Sequence, residues 1–181
     1  MFFDLNDKEG RQLSLGCFSW DFVTLSRWYN RRMCSIVQGK DGFAAVHYTA
    51  FSDATQAVVS VSFVSTEDRQ YQVRGRIWAR YGGYRYRTQY DRRYYRSALF
   101  EKATDYVVLK NDEELPLLKR IVAVPMTETL VVVVNLNVVV GGREEILRGT
   151  ARFESQKETL KYETEVIEQL DYKLVVSVRW G

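Results

Sequence analysis

An all-β fold of antiparallel strands, closed as a sandwich or a barrel, is what this sequence predicts, and three observations carry the prediction. Apolar residues recur with period two along most of the chain, the runs are short and separated by turn residues, and sustained helical periodicity is scarce. A strand shows alternate side chains to opposite faces, so period two is the mark of a sheet with one face buried.

Taken in order, the first clear run is Gly42-Phe-Ala-Ala-Val-His-Tyr-Thr-Ala50, which places His47 on a strand face. Thr55 to Thr66 alternates, with Val59, Val61 and Phe63 on one side and Ser60, Ser62 and Val64 on the other. Similar runs follow at Tyr71 to Tyr81, Tyr106 to Leu109, Lys119 to Val124, Leu130 to Asn137, Thr150 to Glu154 and Leu174 to Trp180. Val131 to Val134 and Val138 to Val140 predict a strand buried on both faces and broken near Asn135-Leu136-Asn137, with Gly141-Gly142 as the following turn. Glu158 to Leu170 has the length of a helix, but its Thr, Tyr, Val and Ile content favours strands on either side of a bend.

Composition bounds the function classes. A chain of 181 residues with 46% hydrophobic content can fill one substantial core, or one domain with a sizeable extension. Two prolines and eleven glycines leave no room for a long disordered linker. No run of about 18 apolar residues is present, so any membrane contact is expected to be peripheral. Met1-Phe2-Phe3-Asp4 lacks the pattern of a secretory signal, which predicts a cytoplasmic or nuclear protein. Cys17 and Cys34 read as two half-buried thiols rather than a disulfide, and with His47 the lone histidine a zinc site is not expected. Gly-x-Ser-x-Gly, a Walker loop and a dinucleotide fingerprint are missing, and the acids of Asp112-Glu113-Glu114 and Glu144-Glu145 read as solvated turns. The expectation is a non-enzymatic binding module without a cofactor.

Charge is where the chain departs from the ordinary. Nine arginines and seven tyrosines fall between Arg69 and Arg96, against one acid, Asp91, and no lysine. That segment is at +8 in a chain whose total is +3, so the rest is at −5. A local basic and aromatic surface points to an anionic partner. A hairpin turning at Tyr81-Gly82-Gly83-Tyr84 would oppose Arg80 to Arg85, Trp78 to Arg87, Arg76 to Gln89 and Arg74 to Asp91, all on one face, with Val73, Ile77 and Ala79 on the other. The candidate anion-binding or nucleic-acid-binding residues are therefore Arg74, Arg76, Trp78, Arg80, Arg85, Arg87, Arg92 and Arg93. Two alternatives stand beside the hairpin: residues 81–93 as a long loop, and arginines paired with the chain's own carboxylates.

A weak internal repeat divides the chain. Leu5-Asn6, Gly10-Arg11 and Gly16 are echoed by Leu136-Asn137, Gly142-Arg143 and Gly149, and Ser35-Ile-Val-Gln38 is echoed by Glu165-Val-Ile-Glu168. Residues 1–53 read as a partial repeat and 54–181 as a complete unit. The partial repeat must pack on the main unit or on another chain.

From residue 54 onward the order of signals resembles a C2-like β-sandwich: Val73-x-Gly-x-Ile77, Ala98 to Asp105, Leu117 to Pro125, and Leu130 to Asn137 followed by Glu145-Ile-Leu-Arg-Gly149. More closely, it resembles a cereal family of unassigned function found alone or at the C-terminus of jasmonate-induced ribosome-inactivating proteins. That likeness implies a C2-like fold and an association with translation or plant stress response. In such relatives the segment matching Asn135 to Gly149 tends to be rich in aspartate, like a calcium loop. Here it holds none, so calcium is not expected. The Glu-Ala-x-Arg motif of the N-glycosidase domain is absent too, and depurination is not implied.

Binding of RNA or another polyanion is thus the first functional expectation, with arginine on phosphate and Trp78 and the tyrosines on unpaired bases. The second is a protein-interaction or oligomerising sandwich, including a homo-oligomer through the first segment, since arginine and tyrosine also dominate protein hot spots. A calcium-independent C2-like module on an anionic membrane surface comes third.

Overall fold

The structure, a computed structural model, describes residues 2–6, 9–17, 29–39, 42–67, 69–82, 95–156, 160–169 and 172–181. These form thirteen strands and no helix. The chain divides into two compact units, Met1–Asp53 and Ala54–Gly181.

The second unit is an antiparallel β-sandwich. Its strands are β5 (Ala54–Ser65), β6 (Tyr71–Tyr81), β7 (Ser97–Leu109), β8 (Glu113–Glu114), β9 (Ile121–Pro125), β10 (Thr129–Val140), β11 (Arg143–Glu154), β12 (Tyr162–Glu168) and β13 (Tyr172–Trp180). One sheet has the order β11-β10-β6-β7; the other runs β12-β13-β5-β8, with β9 also on β5. Period two decides which residues go inside. Val59, Val61 and Phe63 of β5, Val73, Ile77 and Ala79 of β6, and Leu174, Val176 and Val178 of β13 are all buried, as the alternation requires. Phe63 of one sheet meets Tyr71 of the other with ring centroids 4.8 Å apart, and stacks on Tyr172 at 5.4 Å. The polar ends of these inner aromatics are partnered, which removes the cost of burying them. Tyr71 bonds Ser65, Tyr172 donates to Glu145 Oε2 at 3.1 Å, and Tyr81 donates to the Ala123 carbonyl at 2.8 Å.

Three local expectations bear on these ladders, and the first is corrected. First, β10 is not broken at Asn135-Leu136-Asn137. Its ladders to β6 and β11 run unshifted through that point, because Leu136 faces the core while the two asparagines face outward, as alternation allows. Second, Gly141-Gly142 makes a primed two-residue turn, both at positive φ between the paired Val140 and Arg143, whereas Gly83 of the turn expected at Gly82-Gly83 lies outside the described residues. Gly82 instead continues the edge of β6, donating its N–H to the Thr129 carbonyl. Third, β6 is flanked by β7 from Tyr71 to Ala79 and by β10 from Gln72 to Tyr81, while residues 84–91, the expected hairpin arm, lie outside the described residues.

The first unit holds two hairpins. β1 (Phe2–Asn6) pairs with β2 (Gln12–Cys17), and β3 (Arg32–Gly39) pairs with β4 (Gly42–Thr49). Ser14 is buried and donates its hydroxyl to the Val37 carbonyl at 3.0 Å, tying β2 to β3. Cys17 and Cys34 are free and exposed, not half-buried, and His47 is exposed on β4.

Candidate polyanion-binding face

The outer face of sheet β11-β10-β6-β7 is built by register. Wherever an apolar residue of β6 points to the core, its neighbours point out, so Arg74, Arg76, Trp78 and Arg80 share the solvent side. Across the sheet, Arg80 pairs in register with Val131, which pairs with Arg152. One row along, Trp78 lies opposite Val133 and, on its other edge, Ala98; the next row is Arg148, Asn135, Arg76 and Glu101. The face is cationic from strand to strand.

Gly75 shapes its centre. Between Val73 and Gly75 the β6–β7 register shifts so that four residues of β7, Ala103 to Tyr106, oppose Arg74 alone. Gly75 sits at φ +127°, and a Cβ there would overlap the Asn135 carbonyl and lie 2.8 Å from the Leu136 Cα. Only glycine lets β10 approach β6 this closely at that angle. Beside it opens a polar depression of ≈ 380 Å³, lined by Arg74, Arg76, Lys102, Asn135 and Asn137 together with Gly75 and Ala103.

Several of these cations already have partners. Arg74 contacts Glu144 Oε1 through Nη2 at 2.6 Å and Nε at 3.1 Å, and its guanidinium lies 4.8 Å from the Tyr106 ring centroid. Asn137 donates to the same Glu144 oxygen at 2.9 Å. Those hydrogen bonds, from Asn137 and then Arg74, hold the Glu144 carboxyl below its ordinary range against a smaller opposing effect of desolvation. Arg76 pairs with Glu101 at 3.0 Å, and Arg148 donates to the Asn135 side-chain oxygen at 3.1 Å. Arg80 and Arg152 are different: no carboxylate meets either among the described residues. They flank Val131, which has 0% exposure although it lies on the outer face. Two strand spacings separate them, close to 10 Å.

The sequence-predicted residues thus divide into two groups. Arg74, Arg76, Trp78 and Arg80 do come together on one face, while Arg85, Arg87, Arg92 and Arg93 lie outside the described residues. The hairpin partners expected for the first group, Arg85, Arg87, Gln89 and Asp91, lie outside the described residues. Among the described residues Arg80 opposes Val131, Arg76 opposes Glu101, Arg74 binds Glu144, and Arg96 lies over Trp78, at 6.0 Å from the ring centroid. Arg148, Arg152 and Lys102 went unnoticed. A signal for the first two existed: Leu147, Gly149, Ala151 and Phe153 alternate with Arg148, Thr150 and Arg152, so an inward apolar face implied an outward basic one. Among the described residues no cluster of three or more acidic, histidine or cysteine side chains has the arrangement of a metal site.

Residues 1–178 match the family model described as Domain of unknown function (DUF6598). The chain belongs to that family. No curated protein and no solved structure matches it, so the resemblance to jasmonate-induced proteins has no named relative behind it.

Proposed function

We propose that this member of the DUF6598 family is a binding module that takes RNA or a similar polyanion on the outer face of sheet β11-β10-β6-β7. The observation that carries the reading is the row Arg80, Val131, Arg152: two arginines without a carboxylate among the described residues, set on a rigid strand framework beside Trp78. A cation that no described carboxylate meets, next to arginines that are neutralised internally, is the one an anionic ligand reaches without breaking a described ion pair. Strand rows place successive outward side chains of β6 about 6.8 Å apart, which suits an extended backbone of repeating charges better than a single small anion. Trp78, half-buried with Arg96 over its ring, supplies an aromatic surface on which an unpaired base stacks.

Fluorescence anisotropy of a labelled single-stranded RNA tests this. Affinity should fall steeply with salt, and Arg80→Ala with Arg152→Ala should lower the slope of log K against log salt by about one per arginine. Absence of binding at low salt would sink the reading. Binding of a protein with an acidic surface, with no response to RNA, would convert the same face into a protein contact.

A further inference from the structure

Where β7 sets four residues against Arg74 alone, its ladder with β6 opens. Ala103 to Tyr106 have no partner in the β6 register, while Lys102 and Val107 on either side of them keep theirs, Gly75 and Val73. Gly75 adds no side chain, and the polar depression of ≈ 380 Å³ lies here, walled by Lys102 and Ala103 of β7, Arg74 and Arg76 of β6, and Asn135 and Asn137 of β10. Polar groups therefore reach it from three adjacent strands.

The charges around it do not balance. Of the three cations in its walls, Arg74 is paired with Glu144 and Arg76 with Glu101. Lys102 is half-buried and meets no carboxylate among the described residues, so its charge is left uncompensated. The paired groups also retain donors. Arg74 holds Glu144 through Nε and Nη2, and Arg76 meets Glu101 through Nε, whereas each guanidinium carries five N–H groups. Asn135 accepts from Arg148 at its side-chain oxygen, and its amide nitrogen has no partner among the described residues. A hollow rich in donors and positive in balance favours an oxyanion. Its shape selects among oxyanions. A carboxylate presents two oxygens in one plane, but a phosphate group presents three oxygens in three directions, matching donors on three strands. The two spacings from β7 to β10, close to 10 Å, accommodate a phosphate with a hydrogen bond of about 2.8 Å on each side.

We propose that this depression is a phosphate site, with Lys102 as the anchoring cation and Arg74, Arg76 and Asn135 as the donors around it. Its volume exceeds what one phosphate fills and falls among those of small-molecule sites, so a small polar body attached to the phosphate also fits. Neither Arg80 nor Arg152 takes part, so the site stands apart from the polyanion reading.

Amide NMR of the full chain tests it, by titration with inorganic phosphate, ribose phosphate and ribose at an ionic strength held constant with chloride. The backbone amides of Gly75 and Ala103 and the side-chain amide of Asn135 should shift with both phosphates and stay in place with ribose. Equal affinity for the two phosphates assigns the site to free phosphate, and tighter binding of ribose phosphate assigns it to a phosphorylated small molecule. Lys102→Gln should weaken binding about ten-fold or more, since it removes a charge-assisted contact, and Lys102→Arg should retain it. Lys173→Gln, which removes the same charge from the opposite sheet, should leave it unchanged. No shift of these amides at millimolar phosphate, an equal response to ribose, or a Lys102→Gln chain that binds as the parent does would each overturn the proposal. RNA binding through Arg80 and Arg152 would survive any of those results.

Discussion

The two outer faces of the sandwich differ in what their shared alternation exposes. On sheet β11-β10-β6-β7 the outward positions hold Arg74, Arg76, Arg80, Arg148 and Arg152 around Trp78. On the opposite sheet the equivalent positions hold Val58, Ser60, Ser62 and Val64 of β5 and Val175 and Ser177 of β13, with Lys173 set against Glu168 and Arg179 against Tyr162. Both sheets bury valine, leucine and phenylalanine inward, so core formation does not require the arginines. Their segregation to one face is a property of the surface alone, and surfaces are free to specialise for partners.

The largest expected effect is the one that breaks this asymmetry. Arg80→Glu with Arg152→Glu should weaken RNA binding on the order of 100-fold or more, since each charge-assisted contact is worth roughly 1.5–3 kcal/mol. The matched reversal on the other face, Lys173→Glu with Arg179→Glu, removes the same formal charge and should leave affinity within a few-fold. Anisotropy titrations at one salt concentration compare the two directly. Equal losses would mean that net charge, not the face, governs binding.

Gly75→Val probes the framework under the cationic face. Its Cβ meets backbone of β10 at a φ that valine does not tolerate, so we expect a loss of about 2–4 kcal/mol in urea unfolding. Ser62→Ala, on the outward side of β5, should stay within about 0.5 kcal/mol of the parent. If Gly75→Val is equally mild, the register shift opposite Arg74 does not need glycine.

How much of this was legible depends on whether the information is local. Val59, Val61 and Phe63 announce the buried side of β5 because period two is written within one strand, and the same holds for Val73, Ile77 and Ala79. Pairing is not written there. Gly141-Gly142 closes the β10–β11 hairpin, but nothing local to β6 announces that β10, distant in sequence, pairs along its edge. Arg80 was legible as an outward residue, but its partner across the sheet, Val131, and the arginine beyond it follow from a ladder that no local pattern specifies. The asparagines of β10 misled for a related reason. Two polar residues flanking Leu136 look like a break, although at spacing two they are simply the outward side of an unbroken strand.

Trp78→Ala separates stacking from charge on the basic face. If an unpaired base lies on the ring, the loss should be about 1–3 kcal/mol with the salt slope unchanged, because no cation is removed. Tyr162→Ala, an exposed aromatic on the opposite sheet, should not alter binding. A changed slope in Trp78→Ala would show that the ring acts by placing Arg96 rather than by stacking.

The smallest effect concerns the arginine that is already neutralised. Glu144 is held below the ordinary glutamate range by Asn137 first and Arg74 second, so its charged form is favoured in the folded protein. A depressed folded-state value means that this contribution to stability is complete above the unfolded glutamate value and is lost as pH falls through the lower folded one. In a carboxyl-detected NMR titration, Glu144 should titrate below the ordinary glutamate range. Asn137→Ala should raise its midpoint, and Arg74→Ala should raise it too. RNA bound at Arg80 and Arg152 should leave that midpoint in place, because the Arg74 ion pair is not part of the row the ligand uses. An upward shift of Glu144 on RNA binding would show instead that the ligand competes for Arg74, and that the paired arginines of this face belong to the site as much as Arg80 and Arg152.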